Sequence, residues 1–88
     1  MERTAYMLAT VASSTSANRI KRRLSEFGIH SSVIQTPQAL TKEGCGYSLR
    51  FDENSRKIVQ KTAIELGIKI RAFYTEDIKD GEKIYARI

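Results

Sequence analysis

One cysteine, one histidine, one proline and no tryptophan occur among the 88 residues. A single thiol excludes an internal disulfide, and with one imidazole beside it there is no set of Cys and His ligands to hold a structural zinc. No metal and no other cofactor is implied. With no second cysteine there is no resolving thiol, which excludes a dithiol oxidoreductase cycle within one chain. No apolar run approaches the roughly 18 residues that a membrane span requires. There is also no glycine-rich phosphate loop and no paired carboxylate motif. The apolar stretch in "MERTAYMLATVASSTS" follows Glu2 and Arg3 and leads into helix-periodic sequence, so it reads as a first strand rather than a secretory signal. These absences point to a soluble chain in a reducing compartment, the cytoplasm.

The residues present are those of an ordinary globular domain, 41% apolar and 28% charged. At this length a chain buries only about 60 to 65% of the surface its unfolded form exposes, so one thin core is expected, within a single domain spanning 1–88. The core is expected over about 4–75, with a C-terminal hairpin extension over about 76–88. The formal net charge of +5 draws the chain mildly toward anionic partners.

Alternation in "AYMLATV", Ala5 to Val11, predicts a first strand, and the following "SSTS" can cap a helix. Ala17, Ile20, Leu24 and Phe27 recur at steps of three and four, which predicts a first helix buried along that stripe and closed by Gly28. "HSSVIQT" reads as a second strand, stopped by Pro37. The segment "PQALTKEGCG" is irregular, with room for one helical turn at Gln38 to Thr41. "YSLRF" predicts a third strand with Tyr47, Leu49 and Phe51 on one face and Ser48 and Arg50 on the other. Asp52 or Asn54 then caps a second helix buried through Ile58, Val59, Thr62, Ala63 and Leu66 and closed by Gly67. "IKIRAFY" is the fourth strand, and Asp80-Gly81 offers a turn between two short apolar segments. A weak repeat supports this parsing: "SEFGI" at Ser25 echoes "IELGI" at Ile64, and "YMLAT" at Tyr6 echoes "YSLRF" at Tyr47. Two strand-helix-strand halves predict an α+β, ferredoxin-like split βαβ fold (βαββαβ), both helices on one face of a four-stranded antiparallel sheet. An extra C-terminal hairpin or edge strand would extend it.

Cys45 is the sharpest candidate for chemistry. Gly44 and Gly46 flank it, removing side-chain bulk and permitting positive φ, so that the sulfur can be reached by another molecule. A thiol of ordinary pKa is only a few per cent ionised at neutral pH unless cations stabilise the thiolate, and Lys42 and Arg50 lie near it in sequence. The competing reading is an inert loop cysteine. His30, at the start of the second strand, is expected to be solvated rather than to serve as a base. Arg19, Arg22 and Arg23 share a helix face that could grip phosphates or an acidic protein partner, although such faces are more often simply solvated. RNA binding would call for exposed aromatics on the central strands, and the alternation around Tyr6, Tyr47 and Phe51 favours core packing instead, so nucleic acid is not expected.

The segment "QTPQALTKEGCGYSLRF" resembles the selenium/sulfur (Se/S) carrier-like family, small bacterial domains of unknown function. The likeness rests on Thr36, Pro37, Leu40, Cys45, Gly46, Arg50 and Phe51, and extends from "YMLATVASST" through "IKIRAFY". The resemblance implies a lone thiol that carries sulfur or selenium as a persulfide or selenopersulfide, with Cys45 as acceptor and catalysis left to donor and acceptor enzymes. The expectation from a different class is a binding or regulatory module without chemistry, docking through the basic first helix or an exposed sheet edge.

Overall fold

The side chain of Ser13 accepts a hydrogen bond from the amide of Ser16 at 3.2 Å, and that cap starts helix α1, Ser14–Glu26, directly after strand β1, Tyr6–Val11. The computed structural model describes residues 5–37, 40 and 46–88. The expected turn at Gln38 to Thr41 lies outside the described residues except at Leu40, whose amide bonds the Pro37 carbonyl at 2.9 Å.

Both helices end in the same way. The amides of Gly28 and Ile29 bond the carbonyls of Ser25 and Leu24, and those of Gly67 and Ile68 bond Ile64 and Ala63. Each is a Schellman closure, with glycine at positive φ (76° and 69°) and an isoleucine turned back onto the core. The echo between "SEFGI" and "IELGI" is therefore a repeated helix stop. Strand β2 is Ser31–Gln35 and β3 is Tyr47–Asp52. Asp52 then caps a 3-10 turn, Glu53–Ser55, its carboxylate accepting from the amide of Asn54 at 2.8 Å, and helix α2 runs over Arg56–Glu65.

Strand β4 spans Ala72–Lys79, displaced from the expected Ile68 to Tyr74. The cause is the α2 closure, which consumes Ile68, after which Ile70 packs against the core from outside the sheet. The chain turns at Asp80 and Gly81, both at positive φ (53° and 81°) as a two-residue hairpin favours, and returns as β5, Glu82–Arg87.

The result is α+β, two helices and one sheet in the order β2-β3-β1-β4-β5 with every neighbouring pair antiparallel. The sheet has five strands rather than four, because the hairpin beyond β4 pairs along its whole length, from Tyr74 opposite Arg87 to Lys79 opposite Glu82. On one face Met7, Ala9 and Val11 stand opposite Phe51, Leu49 and Tyr47, and they pack with Ala17, Ile20 and Leu24 of α1 and Val59 and Ala63 of α2. Two members of the expected stripes fall outside this core. Phe27 is exposed because it is the C-cap residue, where the backbone has already left helical geometry. Ile58 is exposed because the buried face of α2 is set by Val59, Thr62 and Ala63.

The echo of "YMLAT" in "YSLRF" does not mark equivalent positions. Register puts Leu49 opposite Ala9 on the helix side and Leu8 opposite Arg50 on the other side. Leu8 is nevertheless fully buried, on a face that carries no core cluster.

Candidate functional site

The ends of β2 and β3 are tied where the irregular segment leaves and rejoins the sheet. The amide of Thr36 bonds the carbonyl of Gly46 at 3.0 Å, and the Thr36 and Ser48 hydroxyls share a hydrogen bond of 2.7 Å. Gly46 has φ +147°, a conformation that side chains rarely adopt, while an added Cβ would meet Thr36 Oγ1 at an ordinary 3.5 Å. Conformation rather than space reserves this position for glycine. The Thr36-Pro37 bond is trans.

Against this junction lies a cavity of about 200 Å³ whose wall includes Thr36, Leu40, Gly46, Arg71, Tyr74 and Arg87. The elements meet here through the sheet: the Arg71 amide bonds the Thr10 carbonyl at 2.8 Å, joining the end of β1 to the approach of β4, and register sets Arg87 of β5 opposite Tyr74. Cys45, Gly44 and Lys42 lie outside the described residues. Cys45 is bonded to Gly46, which is on the cavity wall.

Arg50 is placed elsewhere. It sits four residues along β3 from Gly46, about 13 Å at the rise of a strand. There its Nη2 is 2.9 Å and its Nε 3.0 Å from Oε2 of Glu76, with the guanidinium 3.8 Å from the centre of the Tyr6 ring. Lys83 Nζ is 3.6 Å from the other Glu76 oxygen, to which the Tyr85 hydroxyl donates at 3.4 Å. Burial, and then the Glu76 charge, push the Tyr85 hydroxyl above its ordinary pKa. Arg50 and Glu76 line a second recess, near Tyr6, Glu53 and Ile78.

Arg19, Arg22 and Arg23 are brought together on the exposed side of α1, around a shallow recess that Leu66 also lines. Arg23 is ion-paired with Glu26 at 3.1 Å and lies 5.5 Å from the Phe27 ring centre. His30 is exposed at the opposite end of β2 from Thr36, in a recess with Tyr6, Asp52 and Asn54. Tyr47 and Phe51 face the helices as alternation predicts, whereas Tyr6 stands on the other face with Leu8 and Thr10.

Sequence reasoning did not single out Glu76, Tyr85, Arg71 or Arg87. Their partners are far off in the chain or across a hairpin, and nothing local in "IKIRAFY" or "IYARI" marks an arginine as lining a cavity. Among the described residues no group of His, Cys, Asp and Glu could hold a metal ion, and no helix is long and apolar enough to cross a membrane.

No curated protein and no solved structure matches the chain. Residues 6–75 match the family described as "Putative Se/S carrier protein-like", an interval that runs from the first residue of β1 into β4 and leaves β5 outside. Thr36, Leu40 and Gly46, on which the sequence resemblance partly rests, are wall residues of one cavity. With the match covering well over half of its length, the chain belongs to the Se/S carrier-like family.

Proposed function

We propose that the protein is a single-thiol carrier that takes sulfur or selenium onto Cys45 and passes it to a second protein in a reducing compartment such as the cytoplasm. The observation that carries this reading is Gly46. It adjoins Cys45, holds a positive φ at the lip of a small cavity, and belongs to the stretch on which family membership rests. Thr36 and Pro37 support the lip by fixing the end of β2 and the turn to Leu40.

Transfer needs no oxidant. The Cys45 thiolate attacks the outer sulfur of a donor persulfide, the new S–S bond forms as the donor's S–S bond breaks, and the donor leaves as a thiolate. An acceptor nucleophile later attacks the same outer atom and Cys45 is released as thiolate. Lys42 would favour the anion, as Gly44 would favour access. Arg50, held by Glu76, serves the fold first. We also read the fold as ferredoxin-like: the order β2-β3-β1-β4 with antiparallel neighbours is that of a split βαβ pair, and β5 is an addition at the β4 edge.

Incubation with a cysteine desulfurase and cysteine, followed by intact-mass measurement, should show one added sulfur that a reductant removes and that Cys45→Ser never acquires. Persistence of the added mass in Cys45→Ser would refute the assignment. A second reading, a docking module without chemistry, is favoured by the gathering of Arg19, Arg22 and Arg23 around one recess. It requires that charge reversal at these arginines abolish partner binding while Cys45→Ser leaves function intact.

A further inference from the structure

Arg71 and Arg87 are 16 residues apart in the chain, one inside and one outside the family match, yet they line one cavity. Arg71 lies just before β4, inside the matched interval, and Arg87 closes β5, beyond it. Among the described residues neither has a carboxylate within ion-pair distance, in contrast to Arg50, which is held by Glu76, and Arg23, which is held by Glu26. Two arginines lining one recess, with no carboxylate paired to either among the described residues, would both favour an anion bound between them.

Arg87 is opposite Tyr74, three residues on from Arg71, so the two backbones are about 10 Å apart along the strand direction and one strand apart across it. Two long side chains lining the same hollow can close on a ligand between them. Thr10 and Thr36 are on the same wall, their hydroxyls bonded to the Ala72 carbonyl and the Ser48 hydroxyl. A volume of about 200 Å³ lies below the 300 to 1,000 Å³ usual for sites that enclose drug-sized molecules. The recess has room for a small anion, and guanidinium forks match oxyanions in paired hydrogen bonds.

We infer that the cavity between β1, β4 and β5 is a binding site for a small tetrahedral oxyanion, clamped by Arg71 and Arg87. Anion binding here does not depend on the chemistry of Cys45 and stands or falls separately from thiol transfer. The added strand acquires a purpose on this reading, since β5 supplies one of the two cations.

Titration of the full chain with inorganic phosphate, sulfate or thiosulfate at fixed ionic strength, followed through backbone amide shifts, should give saturable changes at Thr36, Gly46, Arg71 and Arg87. Either Arg71→Gln or Arg87→Gln should weaken binding by about tenfold, the effect of losing a hydrogen bond to a charged group, and the Arg→Lys forms should fall between. Both arginines are exposed, so thermal melting should be unchanged. Shifts that never saturate, equal affinity in the Gln variants, equal binding of acetate, or shifts centred on Arg19, Arg22 and Arg23 would each overturn the proposal. If only a phosphate group displayed on a peptide binds, while inorganic phosphate does not, the site reads a partner surface and the free-ion assignment is wrong.

Discussion

The two faces of the sheet are closed by different chemistry. On the helix side, Met7, Ala9, Val11, Leu49 and Phe51 are apolar, at most 2% exposed, and covered by two amphipathic helices. On the other side Leu8 and Ser48 are as completely buried, and Glu76 nearly so, although the core helices lie opposite. Among the described residues, cross-strand side chains stand beside them. Arg50, opposite Leu8, lies over the Tyr6 ring and binds Glu76, while Tyr74 is opposite Leu8 from β4. Long charged side chains can cover apolar surface with their stems while their heads stay paired or wet. A face without helices can thus still be sealed, provided each buried charge is answered.

The comparison can be broken most severely from the helix side. Phe51→Ala should destabilise the protein by about 3 to 5 kcal/mol, as deletion of a fully buried aromatic does, whereas Phe27→Ala, at an exposed ring, should cost well under about 1 kcal/mol; denaturant midpoints measure both. Equal losses would mean that the helix face is not the principal core.

Glu76→Ala tests the other face. It leaves Arg50 and Lys83 without their carboxylate, and since breaking a buried pair costs about 3 to 5 kcal/mol while Arg50 is 30% exposed at its side chain, about 2 to 3 kcal/mol is expected. A double substitution of Arg50 and Glu76 by leucine should recover much of this, because removal of both partners strands no charge. A loss under about 0.5 kcal/mol for Glu76→Ala, the size typical of a surface change, would reduce this face to an ordinary solvated surface.

The smallest effect is at Tyr85. Its pKa is raised in the folded state, so the fold favours the protonated hydroxyl, which donates to Glu76. The contribution is complete below the unfolded value near 10 and fades as pH rises through the higher folded value. Tyr85→Phe should abolish this part of the alkaline loss of stability and leave stability at neutral pH nearly unchanged, which melting curves across the alkaline range can show.

What the sequence determined by itself was local: the strands β1, β2 and β3, the capped start of α1, both glycine stops and the Asp80-Gly81 turn. Each of these is decided within one helical turn or one pleat, by φ freedom, a capping hydroxyl or the alternation of side chains. Tertiary structure decided the rest. Whether "IKIRAFY" starts as strand or as helix closure depended on which carbonyl its first amide found, and whether Leu8 is buried depended on the register that sets Arg50 and Tyr74 beside it. The ion cluster around Glu76 and the arginine-lined cavity beside Gly46 join residues whose separation in the chain carries no periodic signal. Pairing register converts an ordinary run of polar residues into a sealed face and a charged hollow, because a strand presents its side chains to neighbours chosen by the sheet rather than by the sequence around them.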